Sequence, residues 1–211
     1  MPEPIHEISS PTWGEPDTGA LERLSAHLGE GGVVTHQIDR DELTIQVAVE
    51  RWVEAARFLR DAEGYDFLSD LMTVDWLGYS GEVAGYWSSG AFAGRDINRA
   101  GSAGLAAVAT APGPKRFSVS CHLLKLLTVA AGESRRVRIQ AFVDDGEEVD
   151  TLIGVYPSAD YHEREAWDMM GIPFRGHPNL KRILLPDYWE GHPQRKDYPI
   201  GGEPVQFSED V

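Results

Sequence analysis

Five prolines between Gly171 and Ile200 (Pro173, Pro178, Pro186, Pro193 and Pro199) limit what this part of the chain can become. Each removes a backbone donor, fixes φ and biases the preceding residue away from helix, so no regular element longer than a few residues fits there. Only residues 180–185 keep the composition of a short strand or turn. Residues 160–199 hold seven acids and six bases, although the 211-residue chain carries a formal charge of −15. Gly-His-Pro occurs twice, at 176–178 and at 191–193. A stretch so rich in Gly, Pro and fixed charge must be held by something outside itself, either the rest of the chain or a partner.

The region before it reads as an α+β domain. Residues 1–20 form a proline-rich leader, expected to be flexible, with no basic and apolar segments of a signal peptide. Leu21, Leu24 and Leu28 have helical spacing, and Gly29 ends that helix. Leu43, Ile45, Val47 and Val49 alternate with polar residues as in a half-buried strand, with residues 33–38 as hairpin partner and the turn near 39–41. Residues 51–63 read as a helix burying Trp52, Ala55, Ala56 and Leu59. A turn of helix is expected at 67–71, then a strand at 73–75. Glycine and alanine fill 17 of the 38 positions from 78 to 115, the composition of a long loop insertion. Strands follow at 117–127 and 137–143, joined by a hairpin across 131–134. The expected fold is a mixed or antiparallel sheet with helices packed on one face, spanning residues 21–158. A helix at 160–170 comes next, with Asp160 and Glu163 as a capping box, Gly171 beyond its end, and Arg164 and Asp168 paired at i,i+4. With a long extended C-terminal arm it makes up residues 159–200, and residues 201–211 form an acidic tail.

Composition excludes several functions. An excess of fifteen acids is wrong for a nucleic-acid binder, whose phosphate contacts need a basic footprint. One cysteine, Cys121, flanked by Val119 and Leu123, makes no disulfide or cluster site and reads as a buried small hydrophobe. No apolar run approaches the roughly 20 residues of a membrane span. No Gly-x-Ser-x-Gly elbow, Gly-x-Gly-x-x-Gly turn, His-Glu-x-x-His or short Cys/His pair at metal-ligand spacing is present, so no catalytic, metal or cofactor-binding residue is expected. His162, His177 and His192 lie near carboxylates, which leaves a metal or hydrolase site open. For His177 and His192 the simpler reading is an imidazole bonded to backbone in a Gly-His-Pro turn. Arg164, Arg175, Lys181, Arg182, Arg195 and Lys196 interleave with Trp167, Phe174, Tyr188, Trp189 and Tyr198, and such residues carry interface energy. The leading reading of this segment is binding to a protein partner, the other an arm folded back on its own sheet.

The same residues carry a family likeness. Glu163-Arg164-Glu165-Ala166-Trp167-Asp168-Met169-Met170-Gly171-Ile172, Phe174-Arg175-Gly176-His177-Pro178 and Leu180 with Arg182-Ile183-Leu184-Leu185-Pro186-Asp187 lead into Trp189-Glu190-Gly191-His192-Pro193 and Arg195-Lys196-Asp197-Tyr198-Pro199. Together they resemble the signature of the thirty-kilodalton subunit, or C subunit, of proton-pumping NADH:quinone oxidoreductase (respiratory complex I). Weaker similarity reaches Phe67–Leu71, Val74-Asp75, Arg116-Phe117 and His122-Leu123-Leu124. Cys121 stands where the family commonly has tyrosine and Gln194 where it usually has leucine, and the 78–115 insertion is longer than usual. The resemblance implies a non-catalytic structural and assembly subunit of the peripheral arm, on the cytoplasmic side of the cell membrane and without membrane insertion of its own. FMN and iron–sulfur clusters would reside in partner subunits. The chain would brace the large quinone-cavity (forty-nine-kilodalton, D-type) subunit beside the iron–sulfur subunits. Glu163, Arg164, Glu165, Trp167, Asp168, Phe174, Arg175, His177, Arg182, Trp189, His192, Arg195, Lys196, Asp197 and Tyr198 would form the subunit interface. A related hydrogenase-like membrane complex is the alternative assembly.

Overall fold

The structure, a computed structural model, describes residues 15–77, 115–126 and 135–198. Most of the leader, residues 78–114 of the insertion, the 131–134 turn and the acidic tail lie outside the described residues. Five strands make one mixed sheet: β1 (Val33–Asp39), β2 (Glu42–Val47), β3 (Phe67–Asp75), β4 (Phe117–Leu124) and β5 (Arg136–Val143), in the order β1-β2-β5-β4-β3. Within this sheet only the β2–β5 pair is parallel. The two-residue turn between β1 and β2 puts Arg40 and Asp41 at positive φ, the conformation that matches strand twist.

Period-two alternation sends Leu43, Ile45 and Val47 of β2, Val119, Cys121 and Leu123 of β4, and Val137, Ile139, Ala141 and Val143 of β5 into one core. Helix α1 (Thr18–Leu28) adds Ala20, Leu24 and Leu28, and α2 (Trp52–Asp61) adds Trp52, Ala55, Ala56 and Leu59. The first helix therefore starts inside the expected leader, because the Asp17 side chain accepts the Ala20 N–H and caps it. Val49–Arg51 closes β2 as a 3-10 turn instead of prolonging the strand.

The expected helical turn at 67–71 is strand. A β-bulge between Leu68 and Asp70 shifts the phase of β3, so Leu68 and Leu71 both reach the core. That spacing mimics a helical face when read from sequence. A pairing not visible in the sequence joins β6 (Val149–Asp150) and β7 (Phe174–Arg175) as a short parallel ladder.

Helix α3 (Ala159–Met170) packs against β3 and ends as expected, with Gly171 left-handed at φ 73°. The capping box is absent: Ser158 takes the N-cap position without a side-chain bond, and Asp160 sits inside the first turn. Beyond Gly171 the chain does not run out as an extended arm. It turns back and lies along its own domain as a strap, through bonds described next.

Candidate functional site

Helix α3 and the strap carry the residues singled out in the sequence, and three buried carboxylates organise them. Asp168 has no solvent exposure. Its Oδ2 accepts the N–H groups of Ile183 (2.9 Å), Leu184 (2.8 Å) and Leu185 (3.0 Å), while Oδ1 receives Arg182 Nη1 at 2.6 Å. Burial pushes this carboxyl up, but the three N–H donors and the guanidinium outweigh it and hold it below its ordinary value of 3.8. Arg182 then spans the loop it begins, donating through Nη2 to the carbonyls of Trp189 (2.8 Å) and Gly191 (3.2 Å). Its guanidinium also lies 5.7 Å from the centre of the Trp167 ring.

The second anchor, Asp75, closes β3. It accepts the Leu77 N–H, a two-pronged contact from Arg116, and the backbone N–H of Lys196 at 3.0 Å. Burial raises its carboxyl; the Arg116 bond first, then the N–H bonds, bring it below the ordinary range. Arg116 reaches on to Asp197 at 2.8 Å. Arg195 donates to the Met170 carbonyl (2.7 Å) and pairs with Asp145 at 2.8 Å. The far end of the strap is thus bound to the ends of β3, β4 and β5.

Glu163 is the third. It is wholly buried, receives the Leu152 N–H at 2.6 Å and lies 2.5 Å from the Thr151 hydroxyl. Both of those partners are neutral. Burial pushes its carboxyl up to about 7, with Asp160 adding to the rise and the Thr151 and Leu152 bonds opposing it. Thr151 follows β6, whose partner β7 begins the strap, so Glu163 secures the root.

The remaining candidates fall around these anchors. Arg164 does not pair with Asp168; it donates to the carbonyls of Lys181 and Arg182, both at 3.1 Å. Arg175 pairs with Asp150 at 2.5 and 2.8 Å, and Phe174 is buried in the core. Trp167 meets the His192 ring edge-on at 6.2 Å between centres. Trp189 is half-buried, its backbone N–H donating to the Pro186 carbonyl. Tyr198 donates its hydroxyl to the Glu190 carbonyl at 3.3 Å. The side chains of Glu165 and Lys196 are exposed.

Both Gly-His-Pro imidazoles bond to backbone. His177 accepts the Asn179 N–H at Nδ1, so Nε2 carries the proton toward the Asp160 carbonyl at 3.2 Å. His192 faces the Asp168 carbonyl with Nδ1 at 2.9 Å, so the proton is there. His162 stands apart, 3.4 Å from Asp70. The three imidazoles do not converge, and among the described residues no group of three or more His, Cys, Asp or Glu could hold a metal ion. Cys121 is buried in the core, where burial pushes its thiol up and away from reactivity. No helix among the described residues is long and apolar enough to cross a membrane.

Asp75, Arg116, Asp145 and Thr151 were missed as site residues. Asp75 and Arg116 were signalled only by the weak family likeness at 74–75 and 116–117, and Asp145 and Thr151 by nothing, since no periodicity or spacing links any of them to the strap.

The family described as "Respiratory-chain NADH dehydrogenase, 30 Kd subunit" matches residues 45–204. The C subunit of the NADH-quinone oxidoreductase of Salinispora arenicola is 37% identical over 191 residues, covering 89% of this chain and 62% of its own. Its counterpart from a Roseiflexus species is 36% identical over 191 residues, covering 89% of this chain and 87% of its own. The chain thus spans less than two thirds of the Salinispora relative. Among solved structures, a trypsin-resistant fragment of Nqo5 (residues 1–134) aligns with a TM-score of 0.54 and 24% identity, over 76% of this chain and 99% of that one. A chain of the membrane-bound sulfane sulfur reductase, an archaeal respiratory membrane complex, aligns at 0.55 and 17%, over 87% and 85%. Those two likenesses show the fold, while the match over residues 45–204 and the curated relatives show the lineage: this chain belongs to the thirty-kilodalton subunit family of the respiratory-chain NADH dehydrogenase.

Proposed function

We propose that this chain is a non-catalytic structural and assembly subunit of the peripheral arm of a proton-translocating NADH:quinone oxidoreductase, on the cytoplasmic side of the membrane. FMN and the iron–sulfur centres belong to other subunits in this reading. The chain braces the large D-type subunit that forms the quinone cavity, next to the iron–sulfur subunits. One observation carries it. The family's signature residues form a brace in which buried carboxylates clamp backbone: Asp168 holds three consecutive N–H groups of the strap and Asp75 a fourth. Rigidity is what such a subunit contributes, because electron transfer and quinone access depend on fixed distances between neighbours.

Intrachain bonding also sets what each signature residue can do. Asp168, Arg182, Arg195 and Asp197 are internal struts, and their partners in the assembly would meet the surface they shape. The fold shared with a sulfane sulfur reductase complex gives the runner-up: the same brace in a related hydrogenase-like membrane assembly.

The test is affinity purification of the intact membrane complex through this chain, with mass spectrometry of what comes with it. The expected result is the D-type, flavin and iron–sulfur subunits in stoichiometric amounts, and NADH:quinone activity only in the assembly. Recovery of hydrogenase-like subunits in their place would select the runner-up. Turnover by the isolated chain would refute both.

A further inference from the structure

We propose that residues 183–188 form a prefolded apolar knob that docks into an apolar cleft, rimmed by lysine or arginine, on a neighbouring polypeptide of the assembly. This rests on the function proposed above and assigns its contact surface. Ile183 is 37% exposed, Leu184 59% and Tyr188 83%, within one loop of six residues. Large apolar side chains gathered in this way mark contact surfaces, whereas single ones do not.

The loop is not exposed for want of order. Three consecutive N–H groups are fixed on Asp168 Oδ2, and Arg182 ties the far side through the Trp189 and Gly191 carbonyls. Backbone held this firmly could have turned Leu184 inward, yet it points the side chain out. A knob already ordered also loses little conformational freedom on docking.

Charge selects the kind of partner. Within residues 183–190 the exposed charges are Asp187 and Glu190, on either side of Tyr188, and no base stands among them. An anionic lipid surface is repelled by that flank, as is a second copy of a chain carrying −15. A basic-rimmed protein cleft is complementary to it. Arg182 and Trp189 are then positioning residues and Leu184 and Tyr188 contact residues.

The experiment uses the full chain, tagged, in cells that make the whole complex, with Leu184→Asp and Tyr188→Asp as separate variants and Asp187→Lys as a charge probe. Leu184→Asp should lower recovery of the neighbouring oxidoreductase subunits by about tenfold or more, while the purified chain keeps its melting temperature. Tyr188→Asp should do the same, and Asp187→Lys should weaken recovery most at low salt. Wild-type recovery in both apolar variants overturns the proposal, as does Leu184-dependent binding to vesicles of neutral or anionic phospholipid, or Leu184-dependent dimerisation. If the wild-type chain itself brings down no oxidoreductase subunit, the functional reading fails first, and the two failures are thereby told apart.

Discussion

Replacing Asp168 with asparagine removes one negative charge and leaves the shape almost unchanged, so it isolates what that charge does. The amide oxygen can take the place of Oδ2 and keep the N–H groups of Ile183, Leu184 and Leu185. Its NH₂ group must then face Arg182 Nη1, donor against donor, where a 2.6 Å ion pair existed. Arg182 is 12% exposed there and cannot recover full hydration. Breaking one side of such a pair costs about 3–5 kcal/mol, against a total stability of roughly 5–15 kcal/mol for a domain. For a chain of this size that lowers the melting temperature by roughly 6–20 °C. Thermal unfolding followed by the near-ultraviolet signal of Trp167 and Trp189 reads the loss, and tryptic cleavage after the exposed Lys181 reads local release of the loop. An Asp168→Asn protein that melts with the wild type and resists trypsin equally would show that Asp168 does not hold the strap.

Other expectations follow from the same contacts. Gly171→Ala should cost about 1–3 kcal/mol in chemical denaturation, because its φ is 73° and a Cβ there would lie 2.4 Å from the His192 ring. Glu163 has a folded-state value of about 7, above its ordinary 4.5, so the stability it contributes is complete below 4.5 and lost as pH rises through 7. The wild type should lose about 3 kcal/mol relative to Glu163→Gln between pH 4 and pH 8, and parallel pH profiles would discard the buried-carboxyl reading. Asp75 and Asp168 have the opposite sign: both are held below 3.8, so their contribution persists above that value and disappears as pH falls through their folded values. Arg116→Ala should release the strap end, seen as faster tryptic cleavage after Lys196, since Asp75 and Asp197 both lose their cation; unchanged cleavage would mean the Arg195–Asp145 contact suffices.

Local chemistry made the domain legible. Alternation named the core faces of β2 and β5, Gly29 and Gly171 ended their helices, and both Gly-His-Pro histidines bond to backbone as read. Bulged β3 escaped because Leu68 and Leu71 satisfy a helical spacing and a shifted strand equally well. The parallel β6–β7 ladder escaped because two-residue strands leave no period to count. Glu163 and Asp168 were read as a capping residue and an i,i+4 partner, the nearest roles that sequence distance offers. Each instead bonds a segment more than ten positions away.

Composition did signal that residues 160–199 need support from outside themselves, and it could not say whose. The bonds decide this for the strap's interior. Lys196 lies 121 positions beyond Asp75 and still gives it a backbone N–H, and Arg195 lies 50 beyond Asp145. Contacts of that span form only once the sheet exists, and Asp75, almost without solvent, would stand short of donors if the strap left. Strap and sheet therefore stabilise each other as one cooperative unit, and in the proposed function a neighbouring subunit would meet a surface already in place. Binding energy at that surface can go into position, with little spent on ordering the segment that makes it.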